Sequence, residues 1–137
     1  MNKKTIILNN TSTENDALTK FIRNYIHTEN IPENIFDDLR LACEEIFINI
    51  INHAHSLDET EKITVEIRHS EKSLIASFID TGPTFNPLVD CTSDTTTNDP
   101  CEGGMGIHLI KSLTDQQEYN RIDKCNVFTI TKHYTIK

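Results

Sequence analysis

The stretch LRLACEEIFINIINHAH, residues 39–55, decides how the rest of this chain is read. Leu39, Ala42, Cys43, Ile46, Phe47, Ile50 and Ala54 recur at three- and four-residue steps, which makes one apolar stripe along a helix. Glu45, Asn49 and His53 follow one another at four-residue steps, so their side chains stack along one edge of that stripe. A solvated helix face also carries a carboxylate, an amide and an imidazole. Two glycine-bearing segments further on, DTGPTFNP (80–87) and GGMGIHLI (103–110), turn the reading toward a site.

Working outward toward the N-terminus, Lys4 to Leu8 is a short β-branched run that predicts an edge strand. Thr11-Ser12-Thr13-Glu14 carries hydroxyl caps and an early acid, the signature of a helix start. Leu18, Phe21, Ile22, Tyr25 and Ile26 keep helical spacing, and the helix is expected to end near Glu29-Asn30 because Pro32 disfavours helical geometry at Ile31. Pro32 in turn can open a short helical turn leading into the main helix. Toward the C-terminus, residues 56–61 are polar and read as a loop. Lys62–His69 alternates Ile63, Val65 and Ile67 against Thr64, Glu66 and Arg68, and Ser73–Ile79 places Leu74, Ala76 and Phe78 on one face. So brief a connection makes these two strands antiparallel neighbours. Residues 90–102 hold no large apolar side chain and read as a loop. A helix follows the glycines, and two closing strands are expected over 117–122 and 126–136, with Val127, Thr129 and Thr131 facing one way and Phe128 and Ile130 the other. Strands and helices do not alternate regularly. The expected fold is therefore an α+β two-layer sandwich, a mixed, mostly antiparallel sheet with helices on one face.

The chain has 137 residues, which suits a single domain over 1–137. Hydrophobic residues make up 36% and charged residues 25%, as in ordinary globular proteins. No apolar run approaches the roughly 20 residues needed to span a bilayer, and Ile6-Ile7-Leu8 is too short for a signal peptide. The cysteines at 43, 91, 101 and 125 form no Cys-x-x-Cys pair, which argues against a zinc ribbon and fits reduced thiols in a cytoplasmic setting. A net charge of −8 repels a nucleic-acid backbone, so nucleic acid is not the expected partner, and without a spanning run neither is a membrane. It leaves room for a nucleotide held by backbone amides and a metal ion.

The motifs have definite chemical capacities. Asp80 at a strand end, followed by Thr81-Gly82, offers a fixed carboxylate beside a backbone that a flat ring can approach; a carboxylate accepts the hydrogen bonds that an exocyclic amine donates. Gly103, Gly104 and Gly106 precede a helix, where exposed N–H groups and the helix dipole favour an anion. The Asn49 amide oxygen can ligate Mg²⁺, and Glu45 one turn away can orient or deprotonate a nucleophile. No Lys or Arg lies between Lys72 and Lys111, so positive charge for a phosphate must come from elsewhere in the chain, from a metal, or from a partner.

Taken in order, Glu-x-x-x-Asn, Asp-x-Gly and Gly-x-Gly resemble the three nucleotide-binding boxes of the histidine-kinase-like ATPase superfamily. Within it the chain is most similar to the small anti-sigma factor serine/threonine kinases, on EEIFINIINHAH, DTGPTFNPL, GGMGIHLIKSLTD and EYNRIDKCNVFTITKHY. The resemblance implies ATP and Mg²⁺ as cofactors, with Glu45 as base, Asn49 as Mg²⁺ ligand, and His53 near the phosphates. It further implies Asp80 and Gly82 at the adenine, Gly104 and Gly106 at the phosphates, Thr129 on the adenine side, and an ATP lid over about 88–103. The implied activity is phosphorylation of a STAS-type anti-anti-sigma factor, alternating with capture of a sigma factor, often as a homodimer. A nucleotide-gated binding module with little or no catalysis is the alternative.

Overall fold

The computed structural model describes residues 3–53, 61–90 and 104–135. The loop expected over 56–61 falls almost wholly outside them, and of the lid expected over 88–103 only residues 88–90 lie within them. The described elements run β1 (Lys4–Asn9), α1 (Asn15–Thr28), α2 (Phe36–His53), β2 (Lys62–His69), β3 (Ser73–Asp80), α3 (Pro87–Asp90), α4 (Gly104–Leu113), β4 (Gln116–Ile122) and β5 (Cys125–His133). Short 3-10 turns, Ser12–Glu14 and Glu33–Ile35, lead into α1 and α2.

The exit of α1 shows local chemistry setting an element boundary. Asn30 takes a left-handed conformation, with φ of 57°. That lets the Asn30 N–H reach the His27 carbonyl and the Ile31 N–H reach the Ile26 carbonyl, satisfying two carbonyls the helix end leaves free. Asn is among the few side chains that tolerate this geometry. Ile31 then tucks into the core, and Pro32 bars further helix.

The strands form one sheet in the order β1-β2-β3-β5-β4. Every pairing in it is antiparallel, so the mixed character expected of the sheet is absent among the described residues. One face carries Leu8, Ile63, Val65, Ile67, Leu74, Ala76, Phe78, Phe128 and Ile130, all buried. The helices bring Leu18, Ile22 and Ile26 from α1, Leu39, Ala42, Cys43, Ile46 and Phe47 from α2, and Ile107 and Ile110 from α4 onto it. Each such large side chain contributes about 1.5–3 kcal/mol on burial. The result is two layers, with the core between the helices and one face of the sheet.

Candidate functional site

Three separate segments meet beside α2. The α2 stripe drives Ile46 and Phe47 into the core, and that rotation turns Asn49 toward the end of β3, where it is 7% exposed. β3 alternates strictly, so the parity that buries Leu74, Ala76 and Phe78 also buries Asp80. β5 repeats this with Asn126, Phe128 and Ile130, and the sheet register sets Asn126 directly opposite Asp80. A pocket opens between them. Ile46, Ile50, Ile110 and Phe128 make its apolar walls, Asn49, Asp80 and Asn126 its polar groups, and Gly82, Pro83, Phe85, Pro87 and Tyr119 complete the lining.

Asp80 holds its own loop. Its Oδ1 accepts the Gly82 N–H at 2.9 Å and an Asn126 Nδ2–H at 3.0 Å. Among the described residues its Oδ2 has no hydrogen-bond partner, so one acceptor is left over at the pocket. The Asn49 amide likewise has no partner among the described residues, although the residue is nearly buried. An unsatisfied amide and a spare carboxylate oxygen on one apolar pocket are therefore what a purine amine and a hydrated divalent cation would satisfy. An amide oxygen suits Mg²⁺, which takes few protein ligands and completes its shell with phosphates and water.

The two neighbouring glutamates of α2 separate cleanly. Glu44 pairs with Arg40, Nη1 lying 3.1 Å from both carboxylate oxygens, and accepts a hydrogen bond from Thr19 Oγ1 of α1 at 3.3 Å. It is a brace between helices. Glu45 is partly exposed, has no partner among the described residues, sits one turn before Asn49 on α2, and is not among the residues that line the pocket. His53 is the last residue of α2, and Gly104 and Gly106 lie in the first turn of α4. The His53 side chain and Gly103 lie outside the described residues.

Thr129 requires a correction. It was expected on the adenine side, but β5 turns it to the face opposite Phe128 and Ile130, away from the pocket. There its Oγ1 shares a hydrogen bond with Ser77 Oγ at 2.9 Å. The alternation already read from the sequence, with Thr129 beside Val127 and Thr131, is the physical reason. Asn126 takes the pocket position instead. The signal that could have found it is a polar residue on the apolar side of an alternating strand. A cation also arrives from outside the glycine segments: Arg121 Nη1 donates to the Gly82 carbonyl at 2.8 Å, at the Asp80 end of the pocket.

The family model of the histidine kinase-like ATPase domain matches residues 8–132. The serine-protein kinase RsbW of Bacillus licheniformis is 28% identical over 102 residues, which cover 70% of this chain and 63% of that protein. The chain thus spans less than two thirds of the length of that relative. Among solved structures, the RsbU and RsbW domains of Rv1364c from Mycobacterium tuberculosis superpose with a TM-score of 0.69 at 16% identity, covering 96% of this chain and 32% of that one. The SiaB-SiaC complex from Pseudomonas aeruginosa gives 0.66 at 15% identity, covering 96% and 88%. At such identities the two structures show a shared fold.

Proposed function

The chain belongs to the histidine kinase-like ATPase domain family, and on that premise we propose that it is a Mg-ATP-dependent serine/threonine protein kinase acting as an anti-sigma factor. Its substrate in this reading is a STAS-type anti-anti-sigma factor, and a sigma factor is the protein it captures when not engaged in transfer, as a homodimer in the cytoplasm. The observation that carries the reading is the pairing, in one pocket, of Asp80 with a spare oxygen and Asn49 with an unpartnered amide. Similarity to a serine-protein kinase supports the choice of reaction.

Each residue has a task. Asp80 Oδ2 accepts a hydrogen bond from the adenine amine, and Gly82, lacking a Cβ, lets the ring lie against the loop. The Asn49 amide oxygen would hold Mg²⁺, and the N–H groups of Gly104 and Gly106 at the start of α4, with His53 at the end of α2, would hold the phosphates. Bound Mg-ATP supplies the phosphoryl group, and the metal offsets its charge. Glu45 takes the proton of the incoming serine or threonine hydroxyl at a carboxylate oxygen, a role that contributes about 10²–10⁴-fold. Its partial exposure, one turn from Asn49 and outside the pocket lining, suits a group that meets a protein substrate rather than the nucleotide.

Transfer of ³²P from ATP to a purified STAS-type protein tests this. Glu45→Ala is expected to slow transfer by about a hundredfold or more with ATP affinity unchanged, and Glu44→Ala to leave transfer near wild type. Unimpaired transfer by Glu45→Ala removes Glu45 from the mechanism. One observation favours the alternative of a nucleotide-gated binding module: among the described residues no Lys or Arg lines the pocket, and Arg121 is committed to the Gly82 carbonyl. ATP-dependent partner affinity without phosphate transfer identifies that case.

A further inference from the structure

Asn126 has every polar valence engaged. Its Nδ2 donates to Asp80 Oδ1 at 3.0 Å and to the Pro83 carbonyl at 2.9 Å, with the Gly82 carbonyl at 3.5 Å. Its Oδ1 accepts from the Phe85 N–H at 3.3 Å, from Arg121 Nη1 at 3.2 Å and from the Tyr119 hydroxyl. The surroundings fix which way the amide points. Turned over, it would set its NH₂ against the Phe85 N–H and Arg121 Nη1, which can only donate, and its oxygen against a carboxylate and the Pro83 carbonyl. The residue is 6% exposed, which leaves little room for water to relieve either mismatch.

We infer that Asn126 is a positioning residue that sets base selectivity, acting through Asp80. By holding Oδ1 together with the Gly82 N–H, it leaves Oδ2 as the oxygen presented to a ligand. By drawing the Phe85 N–H, the Tyr119 hydroxyl and Arg121 onto its own oxygen, it withdraws donors from that end of the pocket. What remains is an acceptor edge. Such an edge takes a purine with an amine at C6 and rejects one with an oxo group there, whose oxygen would face the carboxylate. The inference rests on the nucleotide-binding reading, but it assigns the selectivity to a residue of β5 that touches no base itself.

The test compares equilibrium binding of Mg-ATP with that of the Mg-complexed triphosphate of purine riboside, which carries hydrogen in place of the C6 amine. Wild type should favour ATP by about tenfold or more, since a hydrogen bond to a charged group is being read, and Asp80→Asn should abolish that preference. Asn126→Ala should weaken ATP by about tenfold while moving the analogue by less than about twofold. Tyr119→Phe keeps the ring and removes only the hydroxyl that steadies Asn126, and should lose about threefold of the preference in a protein of unaltered fold. A merely structural role for Asn126 would weaken both nucleotides alike. Equal weakening, or a preference unchanged in both variants, overturns the inference while nucleotide binding stands. Wild type that binds neither triphosphate overturns the nucleotide reading itself, and the inference with it.

Discussion

Tyr25 and His69 lie outside the pocket and tie α1 to β2. The Tyr25 hydroxyl lies 2.7 Å from His69 Nδ1, with the rings edge to face at 5.6 Å, and Tyr25 is 3% exposed. Burial, then Glu29, then Tyr134 push its pKa up to about 12 from the ordinary value of 10.0. Tyr134 is shifted upward too, by burial. A folded-state value above the unfolded one means that, as pH rises, the unfolded chain loses the proton first. The stabilisation is complete below pH 10.0, and it is lost between there and about 12. Thermal midpoints measured at pH 8, 10 and 11 should therefore fall steeply across the last interval, and less steeply in Tyr25→Phe. That variant should also lose about 1 kcal/mol at neutral pH with the hydrogen bond. Equal alkaline slopes would place the titrating group elsewhere. At this same scale the sequence was informative where a position follows from spacing within one element. Glu45 and Asn49 are one helical turn apart, and Asp80 ends an alternating strand. Asn126 was not legible, because its meaning lies in the residue across the sheet, and Asp80 is 46 positions away. Thr129 was misplaced when a family position outweighed a strand parity already in view.

Element boundaries were readable wherever a side chain states its own backbone preference. Asn30 and Pro32 end α1. The short α3 was not read from the sequence; there the Asn86 Oδ1 accepts the Leu88 N–H at 2.9 Å and Pro87 opens the turn. The β4–β5 connection falls at Asp123-Lys124, between the two strands expected there, but its side chains do not favour the backbone they adopt. Asp123 and Lys124 both take positive φ, 50° and 67°, between the paired residues Ile122 and Cys125. That is the two-residue hairpin geometry normally filled by Asn-Gly, and here a β-substituted Lys occupies its second position. The turn is strained by about 1 kcal/mol or somewhat more. The double variant Asp123→Asn, Lys124→Gly should accordingly stabilise the protein by about 1 kcal/mol, seen as a higher urea midpoint with an unchanged slope. ATP affinity should stay within about twofold, because Tyr119, Arg121 and Asn126 keep their register. A lower midpoint would show that the Asp or Lys side chain contributes more than the turn strain costs.

At the scale of the molecule, the pocket exists because one sheet face and one helix stripe bury each other. α2 contributes Ile46, Asn49 and Ile50, β3 contributes Asp80, α4 contributes Ile110, and the β4–β5 hairpin contributes Tyr119, Asn126 and Phe128. These elements share one core, and a domain of this size unfolds as a unit. A ligand that bridges them stabilises the whole, by about 2.7 kcal/mol at 100 times its dissociation constant. For 137 residues that is a rise in melting temperature on the order of 8 °C. Asp80→Asn discriminates between specific and incidental stabilisation. The amide it introduces can turn an N–H toward the adenine amine, setting donor against donor, while the phosphate end of the pocket is untouched. The expected outcome is a clear shift with Mg-ATP in wild type and little or none in Asp80→Asn, each measured against its own ligand-free midpoint. An equal shift in both would mean that the nucleotide is held by its phosphates alone, and base recognition by Asp80 would fall. The absence of any shift at millimolar Mg-ATP would leave the pocket without a nucleotide unless a partner completes it, and the binding-module reading would then stand ahead of the kinase.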